Sequence, residues 1–391
     1  PTLNFGATVL TATQRIFSGI SIFTLLAIPF FILAGNIMNK GGIAIRLINF
    51  AKVLTGRVPG SLAHTNAVAN MLFGAISGSG VAAASAMGSI IGPVEKEEGY
   101  DDNFAAAVNV ATAPTGLLIP PSNVLITYSL VSGGTSVAAL FMGGYIPGIL
   151  WGAACMAVAF FYAKKHGYKS SVRLTFKEAM IVVWQAVPSL LLIIIVIGGI
   201  IAGVFTATEG SAIAVAYSLI LSLFIYRTID LKELVHILID SAKMTGIIIF
   251  LVGASNIMAW VMTFTGIPEA ISSALLGISK SPVVILLIIN IFLLFVGTFM
   301  DITPAVLIFT PMLNLLSECM FGGIMITYNL CIGTITPPVG NILFVGVKVA
   351  KVKLEGVIKP LLSYYAVIFA VLMLVTFIPA VSTWLPGLAG Y

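Results

Sequence analysis

Charge is what this chain has least of. Its 19 basic and 14 acidic residues make up 8 % of 391 positions, where soluble chains carry about 25 %. A water-facing surface cannot be built from so few ionic groups, which excludes a soluble globular enzyme. A content of 59 % apolar residues equally excludes a disordered chain. Cysteine is nearly absent. Cys155, Cys319 and Cys331 are an odd number set in apolar surroundings, so they read as filler and give no disulfide or metal framework. Only three histidines occur, and there is no His-Glu-x-x-His or Gly-x-Ser-x-Gly pattern. The phosphate-cradling Gly-x-x-x-x-Gly-Lys-Ser/Thr loop is also missing, which disfavours an ATP-driven pump.

What is present is apolar sequence in long blocks, with a mean hydropathy of +1.11. Blocks fall at 17–38, 62–94, 104–130, 139–163, 180–203, 211–226, 244–263, 282–318, 323–346 and 361–380. A single crossing needs about 20 residues, so the chain reads as an all-α polytopic membrane protein. Blocks 62–94 and 282–318 are too long for one crossing, and each is broken in the middle. The first break is Ile76-Ser77-Gly78-Ser79-Gly80 and the second Met300-Asp301-Ile302-Thr303-Pro304. Gly, Pro and small polar residues favour turns. Both blocks therefore read as re-entrant helical hairpins; the alternative is two kinked crossings.

Charge placement decides between them. With both blocks as hairpins, 17 of the 19 basic residues face one side, and only Arg15 and Lys280 face the other. Making either hairpin a full crossing scrambles this. The basic side is expected to be cytoplasmic, with the C-terminus periplasmic. The net charge of +5 is thus a topology signal and no nucleic-acid patch.

An internal repeat follows. Ala34-Gly35-Asn36-Ile37-Met38 resembles Ala254-Ser255-Asn256-Ile257-Met258, and Ile119-Pro120-Pro121-Ser122-Asn123 resembles Thr336-Pro337-Pro338-Val339-Gly340-Asn341. The two hairpin breaks keep the same order and nearly the same spacing. In the topology above the two units, about 29–163 and 250–380, run in opposite directions. Inverted repeats with interrupted helices are a transporter architecture, with the site at mid-membrane.

The expected organisation has five parts: a scaffold helix and interfacial arm over 1–60, a first transport core over 61–163, linking helices over 164–243, a second scaffold helix and arm over 244–281, and a second core with the C-terminal helix over 282–391. Four breaks supply unpaired carbonyls, hydroxyls and helix N-termini. Carbonyl and hydroxyl oxygens suit a hard cation such as Na⁺, and helix N-termini suit a carboxylate. One cation site is expected from Ser77, Gly78, Ser79, Pro114 and Thr115. The second is expected from Asp301, Thr303, Thr334, Thr336, Pro337 and Gly340. Ser79, Asn123, Asp301 and Asn341 are expected to hold the solute between them. Na⁺ is then the coupling ion, with no organic cofactor. Asp301 reads as the one carboxylate well inside the hydrocarbon, either tuning a cation, protonated, or capping the helix that follows.

Other polar residues have plainer readings. His64 reads as a packed histidine. Glu209 reads as a helix-start carboxylate or a docking contact. Trp151, Trp184, Trp260 and Trp384 read as interface anchors, and 40–57 as an interfacial amphipathic helix. Two other classes of function remain open. An intramembrane hydrolase would pair Ser77 or Ser79 with His64 as base. A channel would carry a selectivity ring, and none is found in the sequence.

The stretch Ile28-Pro29-Phe30-Phe31-Ile32-Leu33-Ala34-Gly35-Asn36, then Gly41-Gly42-Ile43-Ala44, Ser77-Gly78-Ser79, Gly297-Thr298-Phe299-Met300-Asp301 and Thr336-Pro337-Pro338-Val339-Gly340 together resemble the large membrane subunit of tripartite ATP-independent periplasmic (TRAP) transporters, the DctM family. The wording around Ser77–Ser89 and Asp301–Pro311 is similar to the sialic-acid (SiaM) branch. The resemblance implies a Na⁺-driven, elevator-type importer in a bacterial inner membrane. It implies two partners, a small membrane subunit of the DctQ/SiaQ type and a periplasmic binding protein of the DctP/SiaP type. A carboxylate solute is implied, sialic acid first and a C4-dicarboxylate next. The alternative is a stand-alone symporter of the divalent anion:Na⁺ type, whose fold is similar. Relative to the family pattern, a helix is expected before residue 17, and the turn at Ser317–Gly322 is short, so residues are expected to be missing at both places.

Overall fold

The structure, a computed structural model, describes residues 4–168, 175–313 and 319–391. The short turn expected around Ser317 lies largely outside the described residues. All regular structure among them is helical. The helices are α1 (Phe5–Ile20), α2 (Ala27–Lys40), α3 (Ile43–Thr55), α4 (Ser61–Ser77), α5 (Gly80–Glu97), α6 (Asp102–Thr112), α7 (Thr115–Leu118), α8 (Asn123–Val131), α9 (Val137–His166) and α10 (Phe176–Ile201). They continue as α11 (Ala207–Leu219), α12 (Leu231–Thr265), α13 (Ile267–Ile278), α14 (Pro282–Gly297), α15 (Ile302–Leu313), α16 (Cys319–Gly333), α17 (Asn341–Ala350), α18 (Leu354–Phe377) and α19 (Ala380–Leu388). Among the described residues, six helical segments are long and apolar enough to cross a bilayer, or seven if the bent α6–α8 run counts as one.

Helix starts follow from capping chemistry. Asp101, Ser122, Ser136 and Asp230 each accept a hydrogen bond from a backbone N–H in the first turn of the following helix. Thr175 with Glu178, and Thr206 with Glu209, form reciprocal capping boxes. Glu209 is therefore a helix-start carboxylate. Gly42 and Gly60, at φ +73°, turn the chain into α3 and α4.

Three expected boundaries move. The block at 17–38 divides: α1 already begins at Phe5, and a short 3₁₀ turn, Phe23–Leu26, leads into α2. The block at 244–263 is the apolar part of the much longer α12. Lys232 and Lys243, which lie between the apolar blocks 211–226 and 244–263, sit on that helix, where Lys243 meets Asp240 at 3.6 Å. Block 211–226 starts earlier, at Ala207, because the cap precedes the apolar residues. A hydropathy window registers only the apolar part of such a helix.

Packing forms two neighbourhoods, joined where α2 and α3 lie on α4. In one, α2 lies against α11 and α12, α3 against α10, and α1 against α12. In the other, α4 packs on α5, α6, α7 and α9, while α17 packs on α5 and α6, and α14 on α16. The second neighbourhood holds the fully buried run Phe104–Leu118 and a buried Trp151. Trp151 is therefore no interface anchor. Its Nε1 donates to the Ala111 carbonyl at 2.8 Å, near the end of α6, and its ring packs on Tyr328. Trp184 and Trp384 are exposed.

Candidate functional site

The first break is a tight turn between two helices packed side by side. Gly78, at φ +59°, ends α4, and its N–H bonds the Gly74 carbonyl at 2.8 Å. Ser79 then starts α5 by accepting from the Ala82 N–H at 3.3 Å. The second break spans Thr298–Asp301, between α14 and α15, and the Asp301 carbonyl receives the Ala305 N–H at 3.1 Å. Gly and Ser permit the first turn, and Pro304 suits the first turn of the helix after the second.

Each turn meets the second half of a broken helix. The α6–α8 run bends by 45°, and α8 starts at Asn123, whose side-chain amide lies against Gly78. The α16–α17 run is interrupted from Thr334 to Gly340, and α17 starts at Asn341, whose Nδ2 donates to the Asp301 carboxylate. Asn123 and Asn341 are thus equivalent residues of the two repeats, each against its own tip. Both Pro-Pro bonds in these interruptions, Pro120-Pro121 and Pro337-Pro338, are cis.

Deeper in the core the symmetry is tighter, and neither of its two devices was read from the sequence. Asn70 Nδ2 donates to Asn109 Oδ1 at 3.1 Å, and Asn329 Nδ2 donates to Asn290 Oδ1 at 2.7 Å, each across 39 residues. All four asparagines are buried. Close by, Gly74 lies on Gly116 and Gly297 on Gly333, so closely that a β-carbon on Gly74, Gly116 or Gly333 would strike the other's backbone and one on Gly297 would crowd it. The asparagines were legible as polar residues in apolar blocks. The glycine pairs carried no signal, because glycine is common throughout the chain.

A cavity of about 860 Å³ lies between the tips. Eight of the expected site residues line it: Ser77, Gly78, Ser79, Asn123, Asp301, Thr303, Thr334 and Asn341. Pro114, Thr115, Thr336, Pro337 and Gly340 do not. Thr115 is fully buried behind the wall, with its Oγ1 donating to the Thr112 carbonyl at 2.6 Å. Thr336 Oγ1 donates to the Ile332 carbonyl at 2.7 Å. The opposite wall comes from α2, with Gly35, Asn36 and Asn39, and from the apolar Met244, Ile247 and Leu251 of α12. Asn36 Nδ2 ties these two helices by donating to Ser241 Oγ at 2.8 Å. Asn123 Oδ1 has no hydrogen-bond partner among the described residues.

His64 does not reach this cavity. It starts α4 while Ser77 ends it, and thirteen residues of helix put about 20 Å between them. A Ser–His pair of the hydrolase kind therefore does not form. His64 is buried, as a packed histidine would be. Glu95 was not singled out, because Glu95-Lys96-Glu97-Glu98 reads as a polar loop. It lies on the last turn of α5, buried beside Asn66, whereas Asp301 is exposed. Tyr100, in the turn that follows, is buried with it, and burial pushes its phenol up to about 12.

The sequence profile described as "Tripartite ATP-independent periplasmic transporter, DctM component" matches residues 3–381. The chain belongs to the DctM family. Among its relatives is the "Uncharacterized protein YgiK" of Salmonella typhimurium, 54 % identical over 98 % of this chain and 89 % of that one. The sialic acid TRAP transporter large permease protein SiaM of Vibrio cholerae is 36 % identical over 96 % of this chain and 89 % of its own length. The C4-dicarboxylate TRAP transporter large permease protein DctM of Pseudomonas aeruginosa is 38 % identical over 94 % and 87 %. A solved structure, the YdaH transporter of Alcanivorax borkumensis, shares the fold with a TM-score of 0.57 at 15 % identity, covering 94 % of this chain and 86 % of that one. Membership of the DctM family makes this chain a membrane component of a secondary transport system and accounts for its apolar blocks.

Proposed function

We propose that this chain is the large permease of a three-part importer, carrying a carboxylate solute inward on a Na⁺ gradient. The observation that carries the reading is the pairing of each hairpin tip with a repeat-related asparagine around one shared cavity. In this reading one Na⁺ binds near Ser77, Gly78 and Ser79, with Pro114 and Thr115 supporting from behind. The other binds near Asp301, Thr303 and Thr334, with Thr336, Pro337 and Gly340 supporting. Hydroxyl and carbonyl oxygens can replace the hydration shell of a small hard cation, and Asp301 adds charge on the second site only. Ser79, Asn123, Asp301 and Asn341 then hold the solute, with the amides of Asn123 and Asn341 as donors to its carboxylate.

The α4–α9 and α14–α18 neighbourhood acts as the moving core, and α2, α3 and α10–α12 as the scaffold, in an elevator motion. A small membrane subunit docks on the scaffold, and a periplasmic binding protein delivers solute. The basic loops face the cytoplasm of a bacterial inner membrane. N-Acetylneuraminate is the first solute to test and succinate the second, since named relatives of near-equal identity are assigned to each class. Uptake into proteoliposomes, with the small subunit present and cognate binding protein outside, tests this. Accumulation of one of these acids only under an inward Na⁺ gradient is expected. Equal accumulation with K⁺ in place of Na⁺ would overturn the coupling.

A further inference from the structure

The cavity is electrically lopsided along its length. At one end it carries Asp301, the only carboxylate in its described lining, and at the other Lys348 and Lys351. Both lysines belong to the end of α17, the helix that starts at Asn341 beside the site. At 1.5 Å per residue they stand about 10 and 15 Å further along the wall than Asn341. None of the ion pairs among the described residues, Lys40–Glu233, Lys96–Asp102 and Lys243–Asp240, uses either of them. The part of the lining that comes from α12 is the apolar Met244, Ile247, Ile248 and Leu251, which offers an anion nothing.

Lys351 is also held in an unusual place. It ends α17 in the left-handed region, at φ +55° and ψ +37°. That conformation suits glycine or asparagine and strains a long side chain. A lysine kept there, unpaired, in the lining of a cavity is a local misfit of the kind found at functional positions.

We propose that Lys348 and Lys351 form an anion-release pair, which draws the solute's carboxylate out of the site and along α17 to the basic side. The proposal rests on the carboxylate-transport reading above. Its physical basis is that low-dielectric walls focus the field of charges set in a cleft. Once the cations leave, Asp301 repels a carboxylate. The two lysines offer the next favourable position, and being unpaired they need break no ion pair to do so.

Two readouts test it. In a background with Cys155, Cys319 and Cys331 replaced by alanine, Ser85→Cys puts a thiol in the cavity wall on α5. Its reaction rates with an anionic and a cationic methanethiosulfonate are compared at low salt. The anionic-to-cationic ratio is expected to fall at least about threefold in Lys348→Gln/Lys351→Gln, and to recover in Lys348→Arg/Lys351→Arg. A ratio unchanged by the glutamines, or one that moves as much at an exposed control, Lys280→Cys, overturns the proposal. In counterflow, with N-acetylneuraminate or succinate inside proteoliposomes, the glutamine pair is expected to raise the internal half-saturation concentration at least about threefold while external half-saturation stays put. Equal internal values overturn it. If wild-type protein moves neither acid, the transport reading falls, and the thiol ratio still decides whether the lysines draw anions into the cavity.

Discussion

At the scale of single residues, the two repeats are pinned by the smallest side chain available. Gly74 on Gly116 and Gly297 on Gly333 bring helix backbones into direct contact beneath each tip, as small residues do between membrane helices. Overpacking such a contact costs about 1–3 kcal/mol. Gly74→Ala and Gly333→Ala are both expected to lower the melting temperature of purified protein. Gly246→Ala, on α12 with nothing within 4 Å of the added carbon, is expected to leave it unchanged or raise it, since alanine favours a helix interior. A second expectation concerns Asp301. Asp301→Asn keeps the shape and a partner for Asn341 but removes the charge. Uptake is expected to fall at least about tenfold or lose its Na⁺ dependence, while the protein still inserts and binds its small subunit. Wild-type uptake with wild-type Na⁺ dependence would remove Asp301 from the proposed cation site. The residues at the tips were legible because Ser-Gly-Ser-Gly and Asp-x-Thr-Pro interrupt otherwise apolar blocks. Glu95 and the glycine pairs were not, because burial depends on which face of a helix turns inward, and neither composition nor hydropathy shows that.

At the scale of helices, the repeat is expressed as two comparable corners, each a helix–turn–helix that meets a broken helix. The buried asparagine pairs lock those crossings. Asn329→Leu leaves the Asn290 carbonyl and side-chain oxygens without the donor they share, which costs about 1–3 kcal/mol in a buried site. Asn70→Leu does the same to Asn109 in the other repeat. Each is expected to lower thermal stability on its own. The double variant Asn290→Leu/Asn329→Leu is expected to recover part of the loss, because the stranded Asn290 side chain is then gone, although Thr376 Oγ1 gives up the Asn290 donor. A double variant less stable than both single ones would show that the pair does more than satisfy itself. Helix interiors and breaks were readable from apolar periodicity and from Gly and Pro. The ends of α1, α11 and α12 were not, because capping residues and charged turns extend a helix past its apolar block.

At the scale of the molecule, the proposed topology puts the two flanks of each hairpin on one side of the membrane. Arg57→Cys and Glu98→Cys, which bracket the first hairpin, are expected to react only with thiol reagents that reach the cytoplasm. Lys280→Cys is expected to react from the periplasm. Opposite labelling of positions 57 and 98 would make the first hairpin a full crossing and invert everything after it. The proposed transport cycle needs that topology, with two cation sites in opposed repeats and a carboxylate between them. The most direct test is simultaneous measurement of radioactive Na⁺ and radiolabelled N-acetylneuraminate or succinate entering the same proteoliposomes, with the small subunit and binding protein present. The account predicts that each flux requires the other and that Asp301→Asn uncouples or stops both. Solute entering at full rate without accompanying Na⁺ would contradict it.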